Sequence, residues 1–184
     1  MIGLTKDEMR SSLEAMELRF EGRSLSFAGA EARRIRVAFR MEEPHQLLYL
    51  ARLVAHLGYD EIHFRSARLC LTAWDIWNPL EEAVAFKTLE QFRRSYGENR
   101  SVESAPGIYF RHDEFVESVC CLLQPMLVGW DALYVPTWAY GQLDYFVAVS
   151  HDSFVDITVR TPEMQDKCSE FLRAHDWIKP LIKL

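Results

Sequence analysis

The amino-acid sequence predicts an α+β fold: a mixed, largely antiparallel sheet with about five helices packed against it. Three observations predict it. Apolar residues recur at helical spacing in five segments, most of them opened by a capping residue or a proline. Between these segments they alternate with polar residues, the period of a half-buried strand. Both halves of the chain run helix, hairpin, helix, and hairpin strands are antiparallel. With 184 residues, 49% hydrophobic and 26% charged, the chain has ordinary globular composition and the length of a single domain, 1–184.

Thr5 with Glu8 three residues later reads as a capping box, satisfying two otherwise orphaned amides. Met9, Leu13, Met16 and Phe20 follow at helical spacing, with Gly22 as the stop. The period then changes. Leu25 and Phe27 alternate with serines, Gly29 can turn, and Ile35, Val37 and Phe39 alternate with Arg34, Arg36 and Ala38. This stretch predicts a hairpin with one apolar face and one basic face. Pro44 opens a second helix with Leu47, Leu50, Ala51, Val54 and Leu57 inward and Gly58 as its stop. Ile62 and Phe64 begin a strand continued by Leu69, Leu71 and Ala73. Because the apolar positions switch from even to odd numbers, a bulge or turn is required at Ser66-Ala67.

Asn78-Pro79 starts a third helix, with Ala85, Leu89, Phe92 and Tyr96 inward and Gly97 at its end. Residues 97–107 are polar and bounded by glycines, the one place where the domain could divide into two lobes. A fourth helix, 113–128, is apolar over so wide an arc that it should be central, and Pro125 should kink or end it. Strands are predicted at 132–136, 143–149 and 154–159. Thr161-Pro162 opens a last helix with Met164, Cys168, Phe171 and Leu172 inward. Ile35, Val37, Phe39, Val119, Leu123, Val155, Ile157 and Val159 are predicted to share one core.

The net charge of −6 disfavours non-specific binding to nucleic acid or to an anionic membrane, whose phosphates repel such a protein at long range. The first residues lack the basic start and apolar run of a signal peptide, and no apolar stretch has membrane-spanning length. A soluble, cytoplasmic protein is expected. Its four cysteines (Cys70, Cys120, Cys121 and Cys168) form no CxxC pair and, with six scattered histidines, no zinc-ligand spacing; reduced, mostly buried thiols are expected. GxGxxG, GxxxxGK[ST] and GxSxG are all absent, so no cofactor and no metal are expected.

Three His-Asp dipeptides occur, His112-Asp113, His151-Asp152 and His175-Asp176. They fall at a helix start, a hairpin loop and a helix end, contexts in which charge and turn chemistry explain them. Ser150-His151-Asp152-Ser153 lies between two strands, so its side chains are displayed at a hairpin tip. Arg34, Arg36 and Arg40 share one side of their strand, and His63 and Arg65 the polar side of another. If those strands pair, five cationic or potentially cationic groups line one face. Glu31, Glu42, Glu43 and Glu61 could neutralise it; left open, it would bind an anion or an acidic partner. Trp130, Tyr134, Trp138 and Tyr140 crowd the stretch before the tip. Trp138 and Tyr140 are read onto a connection, where exposed rings serve as contact anchors.

These features point to a non-catalytic cytosolic binding protein, an adaptor or an immunity- or antitoxin-like neutralising partner. It would use the aromatic connection and the hairpin tip against a protein partner, with no nucleic acid and no membrane. The alternative is a small hydrolase or transferase with a pocket near His151 and Asp152, drawing on Asp144 or Tyr140. Oligomeric state is left open.

Overall fold

The computed structural model describes residues 1–21, 24–29, 33–40, 42–71, 79–102, 104–139 and 143–177. The first half of the chain runs β1 (Ile2–Leu4), α1 (Lys6–Glu14), β2 (Leu18–Glu21), β3 (Ser24–Phe27), β4 (Arg33–Ala38) and α2 (Pro44–His56). A 3-10 turn at Glu61–His63 leads to β5 (Phe64–Leu71), α3 (Pro79–Ser95) and β6 (Gly107–Phe110). Then come α4 (Phe115–Val128), β7 (Ala132–Trp138), β8 (Tyr145–Ser150), β9 (Phe154–Val159) and α5 (Pro162–Ala174). Among the described residues seven strands form one antiparallel sheet in the order β1-β6-β5-β7-β8-β9-β4, with β2 and β3 as a separate hairpin. The fold is α+β.

Local signals place most of the helices. Thr5 caps α1 with the reciprocal capping box, Pro44 and Pro162 occupy the first turns of α2 and α5, and Thr161 caps α5 through the Met164 amide. Helix α1, however, ends at Glu14 rather than near Gly22. Met16 fits a helical stripe as well as a turn, and the chain reverses at Glu17, whose φ is 61°, before β2 begins. Pro125 lies within the last turn of α4 without ending it, and Gly129 supplies the left-handed cap. Val116, Leu127 and Val128 remain exposed, so α4 is less enclosed than its composition implies.

Pairing departs further from expectation. β3 pairs with β2, not with β4. β4 instead pairs with β9, from Arg33↔Val159 to Ala38↔Phe154. β5 is one strand, with its irregularity between Phe64 and Ser66, one step from the predicted place. Segments 2–4 and 107–110 form strands too short to carry an alternation pattern. Val102 and Ala105 in the polar stretch are buried; Ala73, Ala85 and the caps around Asn78 fall where side chains lie outside the described residues.

Each face of the sheet has its own cover. One face packs under α2, α4 and α5 in a large cluster that contains Ile35, Val37, Phe39, Val119, Val155, Ile157 and Val159, with Leu123 partly buried against it. The second face carries a smaller cluster, in which Met9 and Leu13 of α1 and Leu18, Leu25 and Phe27 of the hairpin cover Leu133, Val135 and Phe146. This second cover stops short of β9 and β4, where the same face turns polar with Arg34, Arg36, Asp156 and Thr158.

Candidate functional site: the β8–β9 tip and the β4 side of the sheet

Three of the four aromatic residues assigned to partner contact are core residues. Trp138, Trp130 and Tyr134 are 2%, 6% and 0% exposed; Tyr140 lies outside the described residues. Trp138 is the last residue of β7, and Pro136 precedes it within the strand opposite Ala67. Pro136 falls beyond the last β7–β8 pair, which spans Ala132–Tyr134. A missing N–H there interrupts no ladder toward β8, so the strand continues and carries Trp138 inward. Its ring stacks on Tyr59 at 4.9 Å and 9° between planes. The Tyr59 hydroxyl donates to Asp144 Oδ2, Lys167 Nζ sits 4.0 Å above the Tyr59 ring, and burial followed by the carboxylate pushes the phenol pKa up. Asp144, flagged for the enzymatic alternative, thus holds a packing residue. Tyr134 hydrogen-bonds Ser118 at 3.0 Å inside the core.

The five-cation face does not form as expected, because β4 and β5 are separated by β7, β8 and β9. His63 belongs to the 3-10 turn and Arg65 to the bulge, both exposed and remote from β4. Arg36 donates twice to Asp156, Nε to Oδ1 at 2.7 Å and Nη2 to Oδ2 at 2.8 Å, and lies 3.7 Å over the Phe154 ring. This pairing raises the guanidinium pKa, the hydrogen bonds contributing most. Arg34 reaches the same carboxylate only at 3.5 Å. Arg40, beyond the strand end, faces Glu43 at 3.6 Å. Two arginines therefore share one carboxylate on the β4 side.

The hairpin tip is displayed as expected and is clamped. Asp131 Oδ1 accepts from the His151 backbone N–H at 2.9 Å and lies 2.9 Å from His151 Nδ1, raising the imidazole pKa above its ordinary value. His151 Nε2 faces Asp152 Oδ1 at 3.5 Å, so the ring sits between two carboxylates. Ser150 Oγ accepts from the Asp152 amide, a turn contact rather than an activated nucleophile. Beside the tip, a cleft of about 220 Å³ runs over the uncovered part of the second face, lined among others by Arg34, Asp131, Phe146, Ser150, Phe154 and Asp156. A second hollow brings Arg40 and Glu43 to Ser153.

Asp131 and Asp156 organise the site, and neither stood out in the sequence. Asp156 had one usable signal, a lone carboxylate inside the apolar run Phe-Val-Asp-Ile-Thr-Val, but its meaning depends on Arg36 lying directly opposite. Elsewhere, His112 and Asp113 form only a 4.0 Å exposed contact, and His175 Nδ1 lies 2.8 Å from the Phe171 carbonyl. Among the described residues no group of three or more His, Cys, Asp or Glu could hold a metal ion. All four thiols are unpaired; burial raises the pKa of each, Cys70 and Cys168 to about 12. No described helix is long and apolar enough to cross a membrane.

Fold and site together define an α+β protein with a clamped hairpin tip beside an arginine-bearing strand. Neither a protein-family model, nor a curated protein, nor a solved structure matches this chain.

Proposed function

We propose that the chain is a non-catalytic cytoplasmic binding protein, of the adaptor or neutralising kind, that engages a protein partner through the β8–β9 tip and the adjoining side of β4. The observation that carries this reading is the clamp on His151. Two carboxylates hold the ring, which favours a pre-set, charged protrusion over a proton-transfer group aimed at a substrate. An exposed tip pre-set by such contacts loses less entropy on association than a free loop. The unpaired thiols, with Cys121 and Cys168 buried, fit a reducing compartment.

The test compares affinity isolation by the parent chain, Asp152→Lys at the tip and Ile62→Lys at the opposite end of β5. Ile62 is 81% exposed, so its change leaves packing intact. A partner retained by the parent and by Ile62→Lys but lost by Asp152→Lys supports the reading. Identical retention by all three, or no retention by any, overturns it.

A further inference from the structure

We propose that the outer edge of β4 accepts an acidic, extended peptide segment as an eighth strand; the inference rests on the binding reading above and names the partner's chemistry. Hydrogen-bond parity comes first. The Phe39 amide donates to the Ser153 carbonyl at 2.9 Å, and β4–β9 register runs in step from there. In an antiparallel ladder successive residues alternate in the direction of their amides. Val37, Ile35 and Arg33 therefore bond β9, while Arg34, Arg36 and Ala38 direct N–H and C=O away from it. On β9 the same parity holds, since just past its end the Arg160 amide donates to the carbonyl of Asp144, the residue before β8. No other described strand pairs with the outer side of β4.

The opposite edge shows how this chain closes an edge. On β1 the outward groups belong to Gly3: its N–H donates to Glu98 Oε2 at 2.8 Å, and its carbonyl accepts from Arg100 Nη2 at 2.6 Å. Side chains cap that backbone, and β1 is only three residues long. β4 has six residues, and at its outward positions Arg34, Arg36 and Ala38 no comparable cap appears among the described contacts. An unpaired strand edge is a template for β-addition.

Charge selects the occupant. Arg34 and Arg36 project from the outward-bonding positions, are 51% and 55% exposed at the side chain, and share the single carboxylate of Asp156. Carboxylates at alternate positions of an added strand would stand beside them on the same sheet face. A second copy is disfavoured, because an antiparallel β4–β4 pair sets arginine against arginine.

The experiment uses the full chain with two soluble alternating peptides, one Glu/Val and one Lys/Val, read by amide hydrogen exchange and by affinity. The Glu/Val peptide is expected to bind at least about tenfold more tightly than Lys/Val. It should slow exchange at the Arg34, Arg36 and Ala38 amides and weaken in about 1 M salt, where screening acts within roughly 3 Å. Ala38→Pro removes an outward N–H, and Arg34→Glu reverses a charge; each should weaken Glu/Val binding at least about tenfold. Equal affinity for the two peptides, or binding without protection of those three amides, overturns the proposal. Protection that appears with protein concentration alone assigns the edge to a second copy and also overturns it. Loss of the peptide result with tip-dependent capture retained removes this inference and leaves the binding reading standing.

Discussion

The two edges of the sheet solve the same problem in different ways. At β1, Glu98 accepts from one glycine's N–H and Arg100 donates to its carbonyl, while the two side chains pair with each other at 2.8 Å. Arg100 and the two amides it shares the carboxylate with hold the Glu98 pKa down to about 2. At β4 the arginines stand on the strand itself and bond a carboxylate one strand inward, leaving the backbone edge open among the described residues. A polar side chain closes an edge only when it reaches the backbone groups that point outward. Charge on the strand merely restricts who may pair there.

Breaking the open edge tests this most strongly. Val37→Pro removes an amide bonded to β9 and a side chain 1% exposed, and should cost about 3 kcal/mol or more in denaturant unfolding. Ala38→Pro, one residue along, removes an amide that bonds nothing on β9 and should stay within about 1 kcal/mol of the parent. Equal losses for the two would sink the parity assignment.

The closed edge offers the next largest effect. A Cβ on Gly3 would stand 2.7 Å from Arg93 Nη2 and nearer still to Glu98 Oε2. Arg93 is 1% exposed and has little room to retreat. Gly3→Ala should therefore destabilise by about 1–3 kcal/mol, the range for overpacking. An unchanged midpoint would show that the Glu98 cap is loose.

Acid sharpens the contrast further. The folded Glu98 pKa lies below the ordinary 4.5, so its contribution is complete above that value and is lost as pH falls through about 2. In thermal melts, Glu98→Gln should lower Tm at neutral pH and narrow the gap between neutral pH and about pH 3. A constant offset at every pH would contradict this.

The smallest effect belongs to the tip beside the open edge. Asp131 raises the His151 pKa above 6.5, so the stabilisation is complete below 6.5 and fades as pH rises through the folded value. His151→Ala should lower Tm slightly at about pH 6 and not at about pH 9. His56, whose burial lowers its pKa, acts with the opposite sign and withdraws stability as pH falls below 6.5. Replacing it must not reproduce the His151 profile.

Much of the molecule was legible residue by residue. The Thr5 capping box, the prolines opening α2 and α5, and the short apolar runs of β7, β8 and β9 depend on neighbours within a few positions. So did the parity switch that placed a bulge near Ser66. The candidate site was legible only in pieces. The tip was read correctly as displayed, whereas Trp138 was assigned to a connection because Pro136 looked like a strand end. Asp131 and Asp156 drew no attention because each matters only through a partner at long range.

The sequence by itself determined the α+β class, five helices and most of their inward residues, because apolar period and capping are local properties; Tyr96, predicted inward, is 40% exposed. Only the tertiary structure decided that β4 pairs with β9, that β3 folds back on β2, that Trp138 is enclosed, and that among the described residues one edge is capped while the other is open. Any strand of suitable alternation can in principle pair with any other. For β4 the choice is made by contacts more than a hundred residues apart, such as Arg36 with Asp156, and these leave no periodic trace in the chain.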